Sequence, residues 1–320
     1  MPVTEAASVK PPNATVRGPV LVVGGTGHYG REIVRCLCQH GHPVRVLSRN
    51  AAGARAIVGH QPEIVEGDIT SREAVARSVA GAERIVISIS AGNPKLIRQA
   101  RRIERDSVLM LLEEARQAGV GRVVYLTGYE IRRDLIFRCG FEHATIYLDV
   151  EEAIARSTFN WTILGEAPST EIFFAIIRGN RMSFPGGGPP AFPSVSRLDV
   201  GEIAAQAVVR DDLANQRFRV TGPEALSFPE AASRISKMTG RQIVFRAIPL
   251  APIRAAAFLS RPFYPFLHYL VGAARMLNSF PQDLVAQVPA DHSRLVRTFD
   301  YSPTTLEMDA LRRVTPKRQQ

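Results

Sequence analysis

The sequence predicts an α/β protein, a doubly wound parallel sheet with a smaller, mainly helical C-terminal lobe. Three observations predict it. Short apolar runs recur between residues 20 and 164, and the stretches between them are long enough to hold helices. Such crossovers make right-handed βαβ units, so the alternation implies parallel strands covered on both faces. The first apolar run passes into a glycine-spaced loop and then a helical pattern, VLVVGGTGHYGREIV over residues 20–34.

The elements follow in order. Residues 20–23 contain no polar side chain and read as a strand buried on both faces. Residues 28–40 read as a helix with Ile33, Val34 and Leu37 on one side and Gly41 as its stop. PVRVLS at 43–48 and EIVE at 63–66 supply the second and third strands. Thr70-Ser71-Arg72-Glu73 has the spacing of a capping box and opens a short helix. RIVISI at 84–89 is the fourth strand, residues 102–118 a long helix closed by Gly119, and RVVYL at 122–126 the fifth strand. A helix over 148–157 then leads to a sixth strand, NWTIL at 160–164.

After residue 164 the rhythm changes. RMSFPGGGPPAFP at 181–193 is a Pro/Gly-rich connection. Asp199 reads as the N-cap of a helix to Val209, and residues 218–221 as a further strand. Ser227-Phe228-Pro229-Glu230 is a second capping box, opening a helix to Met238, and the chain from Pro249 on is mostly helical and broken by proline. The expected division is a disordered leader at 1–17, a nucleotide-binding domain at 18–222 whose residues 165–198 contribute to a substrate lobe, and a C-terminal substrate or lid lobe at 223–320.

A chain of 320 residues with 45% hydrophobic content can bury a large core. The leader has neither a basic start nor an apolar segment, so it does not read as a signal peptide, and a cytoplasmic protein is expected. The formal charge of +10 invites a nucleic-acid reading. Lysine occurs only at positions 10, 95, 237 and 317, however, and the arginines are scattered with no aromatic-interleaved stripe, so no nucleic-acid partner is expected. Cys36, Cys38 and Cys139 have no CxxC spacing, which argues against a zinc site or a disulfide framework. PFYPFLHYLVGAA at 262–274 is too short and too interrupted by proline to cross a bilayer. Arg254, Arg261 and Arg275 border it, so peripheral membrane contact through residues 252–280 competes with a lid helix or lobe core.

The loop Gly24-Gly25-Thr26-Gly27-His28-Tyr29-Gly30 has a strand before it and a helix after it. Gly24 suits a tight turn, Gly27 lets a pyrophosphate approach the backbone, and Gly30 lets the helix pack on the strand. The helix N-terminus then presents its positive end to the phosphates.

GGTGHYG resembles the GGTGxxG of the extended and atypical short-chain dehydrogenases/reductases, which fold as Rossmann-like sheets. Glu66-Gly67-Asp68-Ile69 resembles the Gly-Asp after that family's third strand, whose aspartate meets the adenine, and VGRVVYLTG at 120–128 its fifth strand. EEAIARSTFNWTIL at 151–164 is similar to a stretch of the NmrA-like NAD(P)H-binding proteins, as are FRVTGPEALSFPEAA and SPTTLEMDAL farther on. The resemblance covers roughly residues 18–312. It implies a cofactor site made by residues 24–30 with Ser48, Arg49, Asp68, Ile69 and Ser88. Leu47-Ser48-Arg49-Asn50 has no carboxylate for a ribose hydroxyl, whereas Arg49 suits a 2′-phosphate, so NADP(H) is expected over NAD(H), which the same loop admits. An ordinary surface arginine would look the same.

Carbonyl reducers of the family use a Tyr with a Lys four residues on, and here those positions are His143 and Tyr147. No lysine lies between Leu96 and Met182. His143 and Tyr147 fit an unorthodox proton relay or ordinary helix-face residues, while Thr127 and Tyr129 are candidates to hydrogen-bond a substrate. Hydride delivery to a conjugated acceptor can also proceed by positioning alone. Gly165-Glu166 replaces the family's usual Arg-Pro, placing a carboxylate where a guanidinium is common. Two functions stay open: an NADPH-dependent oxidoreductase on an apolar, quinone- or enone-like small molecule, and a non-catalytic NAD(P)H sensor or accessory subunit with a protein partner. The missing Tyr/Lys pair favours the second, the apolar C-terminal lobe the first.

Overall fold

The computed structural model describes residues 18–314, so the expected leader lies outside the described residues. The first half alternates as the apolar pattern demands. β1 (Val20–Val23), α1 (Gly30–Gln39), β2 (Val44–Ser48), α2 (Ala51–Val58), β3 (Glu63–Glu66), α3 (Arg72–Val79) and β4 (Arg84–Ile87) lead to a π-helical turn, Arg101–Asp106, continuous with α4 (Ser107–Gln117). β5 (Arg122–Gly128), α5 (Arg133–Cys139), α6 (Thr145–Ala155) and β6 (Asn160–Glu166) complete it.

The second half is more mixed. α7 (Glu171–Ala175), β7 (Ile177–Arg178), β8 (Arg181–Pro185) and β9 (Phe192–Pro193) precede α8 (Arg197–Val209) and β10 (Gln216–Val220). β11 (Ala225–Leu226), α9 (Phe228–Thr239) and β12 (Val244–Ile248) follow. The described chain ends with α10 (Leu250–Ser260), α11 (Pro265–Asn278), α12 (Gln282–Val285), α13 (Val288–Thr298) and α14 (Leu306–Val314).

Seven parallel strands form one sheet in the order β10-β6-β5-β4-β1-β2-β3. This is the Rossmann-like, doubly wound architecture, and strand order reverses between β1 and β4. Ligands in such sheets bind at that reversal, outside the carboxyl ends of the strands. One face is covered by α1 and α8, through Ile33, Leu37, Ile203 and Val208. The other is covered by α3, α4 and α6, through Val75, Leu111 and Ile154. Two buried arginines fasten β4 and β5 to the carbonyl end of α8: Arg84 donates to Val208 O at 2.9 Å, and Arg122 Nε to Ala207 O at 3.0 Å. A cation there meets the helix's negative end.

Several local expectations need correction. Ser71, not Thr70, caps α3, accepting from Ala74 N; Thr70 N is already held by Asp68 Oδ1 at 2.8 Å, so the helix starts one residue later. Ser196 caps α8, and Asp199 sits inside its first turn, where it accepts from Thr304 N and Thr304 Oγ1. Ser227 does cap α9, accepting from Glu230 N. Neither α2 nor α5 was expected from the sequence.

The smaller lobe contains a three-stranded sheet, β12-β8-β7, over an aromatic cluster in which Phe228 touches Phe173, Phe184, Phe192 and Phe245. The C-terminal helices divide between the two bodies. Leu306 packs in the lobe, whereas Leu295 and Phe299 return to the main core, Phe299 meeting Phe218 of β10 edge-on at 5.2 Å.

Candidate functional site

The loop between β1 and α1 lies at the strand reversal. Gly24 has φ +81, and a Cβ there would stand 2.1 Å from Ser88 O; one on Gly30 would stand 2.1 Å from Gly24 O. Both positions therefore require glycine, the first for its conformation and the second for the close approach of α1 to the loop. Tyr29 starts α1 without a side-chain cap, which leaves the helix's positive end turned to the loop.

A cavity of about 860 Å³ begins here and runs along the carboxyl ends of the strands to the inner side of α11. Gly24, Thr26, Gly27, His28 and Tyr29 line its first part. Ser48 and Arg49 lie on its wall after β2, Asp68 and Ile69 after β3, and Ser88 after β4. Gly25 and Gly30 sit behind the loop: a Cβ on Gly25 would meet Val46 Cγ1 at 2.9 Å. Arg49 is exposed, and no ion pair ties it to a described carboxylate. The donor set fits a dinucleotide: an uncapped helix end for a pyrophosphate, a carboxylate for adenine, and an untethered guanidinium beside the second strand.

The far part of the cavity is apolar, walled by Leu135, Phe141, Ala273, Met276 and Leu277. Four proposed catalytic residues gather near it in different ways. Thr127 and Tyr129 are on its wall, but their hydroxyls donate elsewhere, Thr127 to Glu151 Oε1 and Tyr129 to Asp291 Oδ2, each at 2.8 Å. Tyr147 lines it, while His143 stands behind Tyr147, with Nε2 3.4 Å from the phenol oxygen. His143 is not on α6 but in the 3₁₀ turn Glu142–Ala144. Burial pushes the Tyr147 phenol well up, and the neighbouring Glu104 adds to this.

One acid near the site escaped the sequence, and the surroundings of a second were not legible in it. Glu104, in the π-helical turn, is 1% exposed; its Oε2 meets His143 Nε2 at 2.8 Å and its other oxygen accepts from Ala91 N. Nothing in RRIERD distinguishes that acid from a solvated helix residue. Glu166, singled out only as a departure, ends β6 opposite Gly128 and Val220 and lines the cavity. Its Oε2 is shielded from solvent with no hydrogen-bond partner among the described residues. Burial holds its carboxyl well above the usual carboxylate range, so this group keeps its proton where ordinary acids have lost theirs.

His28 reaches the small lobe, with Nε2 3.1 Å from Ser169 Oγ and Nδ1 3.3 Å from Glu171. Burial lowers its pKa despite that carboxylate. Among the described residues no cluster of His, Cys, Asp or Glu could hold a metal ion. Among the described residues no helix is long and apolar enough to cross a membrane.

A parallel sheet with a glycine loop and bare helix end at its strand reversal defines a Rossmann-type nucleotide-binding protein. A family model described as NAD(P)H-binding matches residues 24–211, more than half of the chain, and the chain belongs to that family. Among curated proteins it is similar to an NAD(P)H azoreductase of Xenophilus azovorans, 27% identical over 240 residues that make up 74% of this chain and 79% of that one. It is also similar to the photosystem II assembly factor Ycf39 of Synechocystis, 25% identical over 301 residues, 90% of this chain and 88% of that one. Among solved structures, the Citrobacter triphenylmethane reductase complexed with NADP(H) superposes with TM-score 0.72 at 20% identity. It covers 92% of this chain and all of the other, a likeness of fold.

Proposed function

We propose that the protein is an NADPH-dependent reductase of an apolar, conjugated small molecule of quinone or enone type. The observation that carries this reading is the single cavity whose one end is the glycine loop and whose other end is an apolar chamber under α11, with Glu166 on its wall. Residues 24–30 with Ser88 would seat the pyrophosphate, Asp68 and Ile69 the adenine, and Ser48 with Arg49 the 2′-phosphate. The bound nicotinamide supplies a hydride, two electrons with one hydrogen nucleus. The apolar wall aligns the flat acceptor and excludes water. Glu166 gives its proton to the anion that hydride addition leaves on the acceptor, and the resulting carboxylate is reprotonated from solvent. A relative named as an azoreductase and a fold neighbour named as a triphenylmethane reductase support an aromatic class of acceptor.

The test is NADPH consumption by the purified protein over a panel of quinones and enones, followed by absorbance, with binding measured by NADPH fluorescence. Turnover of at least one acceptor class is expected. A second reading, an NAD(P)H sensor or accessory subunit, is favoured by the absent Tyr/Lys pair and by the assembly factor among the relatives. Tight NADPH binding with no consumption across the panel would select it.

A further inference from the structure

Five of the twelve large hydrophobic side chains that the described chain exposes lie between residues 258 and 270. Phe258, Leu259 and Phe263 are 73%, 75% and 84% exposed, and Tyr264 beside them 47%. They sit where α10 ends, in the turn to α11, and at the start of that helix. The tip is braced: Arg98 donates to Pro262 O at 2.7 Å and Phe263 O at 3.0 Å, joining it to the segment after β4. Its apolar side chains are thus presented on ordered backbone.

The charge carried by the tip's own segment has one sign, and the acid facing it is Glu142, near His268. Residues 249–280 include Arg254, Arg261 and Arg275 and no aspartate or glutamate. Apolar insertion and basic attraction together are what anchors a peripheral protein, since either alone gives weak, reversible binding. A second copy of this chain is a poor occupant, because a two-fold contact would set this arginine-bearing segment, which has no acid of its own, against itself. From this tip α11 runs to the cavity, where Ala273, Met276 and Leu277 form part of the wall.

We propose that the α10–α11 tip docks on an anionic lipid bilayer, Phe258, Leu259 and Phe263 entering the interface while Arg254 and Arg261 meet lipid headgroups. The protein lies on the membrane and does not cross it. This requires neither cofactor nor turnover, so it stands or falls independently of the reductase reading.

Sedimentation of the full-length protein with vesicles tests it, without NADPH. Binding is expected to vesicles of equimolar phosphatidylcholine and phosphatidylglycerol, and much weaker binding to phosphatidylcholine alone. R254Q/R261Q should weaken binding to the anionic vesicles by about 25-fold, near fivefold per arginine. F258S/F263S should weaken it by at least about tenfold. Both variants change exposed positions, and unchanged thermal unfolding would verify their folding. Absence of sedimentation with anionic vesicles overturns the proposal, as does binding that both variants leave intact. A dimer in analytical ultracentrifugation that F258S/F263S dissociates, with no vesicle binding, would reassign the surface to a second copy.

Discussion

His143 Nε2 lies 2.8 Å from Glu104 Oε2, bridging the turn before α6 to the π-helical turn before α4. The same carboxylate accepts from Ala91 N, so one buried acid organises the segment after β4 that flanks the cavity. The relay suggested by the His143/Tyr147 spacing therefore has a competitor for its imidazole. Nε2 stands between the two, 2.8 Å from Glu104 Oε2 and 3.4 Å from the Tyr147 oxygen.

The first prediction separates structure from proton transfer. His143→Ala removes the imidazole beside Glu104 Oε2, leaves that buried carboxyl with Ala91 N alone, and should destabilise the fold by about 1–3 kcal/mol, read from denaturant unfolding. Tyr147→Phe should reduce turnover by far less than the roughly 100-fold expected of a lost proton donor. A loss of that size in Tyr147→Phe, with NADPH binding intact, would restore the relay.

Glu166 supplies the contrasting prediction. Glu166→Gln keeps the shape and a hydrogen-bond donor but cannot release a proton, so turnover should fall about 100-fold or more while NADPH fluorescence titrations barely change. The sign of the pH dependence follows from the raised pKa. The acid form works at low pH and is lost as pH rises through the elevated value, so the wild-type rate should decline on that limb and the Gln variant should lack it. Equal rates for the two proteins would remove Glu166 from the chemistry.

Arg49 tests the cofactor preference. A guanidinium bound to a 2′-phosphate loses about 1.5–3 kcal/mol on truncation, about 10- to 100-fold in affinity, and a ribose hydroxyl has no comparable partner to lose. Arg49→Ala should weaken NADPH by that amount and NADH by little. Parallel weakening of both would remove the preference, and no weakening of either would leave Arg49 an ordinary surface residue.

The reach of the sequence is uneven for physical reasons. The main sheet and its glycine loop were legible because both obey short-range rules: apolar runs mark buried strands, and GGTGHYG sits between strand and helix. The strand β10 closing one edge was also visible, through its pattern at 218–221. α2 was missed because AAGARAIV carries a glycine and weak periodicity, and its signal is the Asn50 side chain accepting from Gly53 N. Glu104 and the hydroxyl partners of Thr127 and Tyr129 were illegible because Ala91, Glu151 and Asp291 lie distant in the chain and near only after folding. Glu166 was noticed as an anomaly, but its protonation depends on burial that no spacing encodes.

Asp199 carries the last prediction, on stability and pH. It is 3% exposed and accepts from Thr304 N at 2.8 Å and Thr304 Oγ1 at 2.6 Å, tying the segment after α13 to α8. Burial outweighs these two bonds and pushes its pKa from 3.8 to about 6, with Asp309 adding to the rise. Between those values the native state holds a proton that the unfolded chain has released. Stability from this group is full below pH 3.8 and is lost as pH rises through about 6, by at most about 3 kcal/mol. Asp199→Asn cannot titrate, so its stability relative to wild type should improve by up to that amount across the same window. Urea unfolding of both proteins at a series of pH values reads this directly. Two stability curves that stay parallel from pH 3.8 to 6 would mean that Asp199 is as ionised in the fold as outside it.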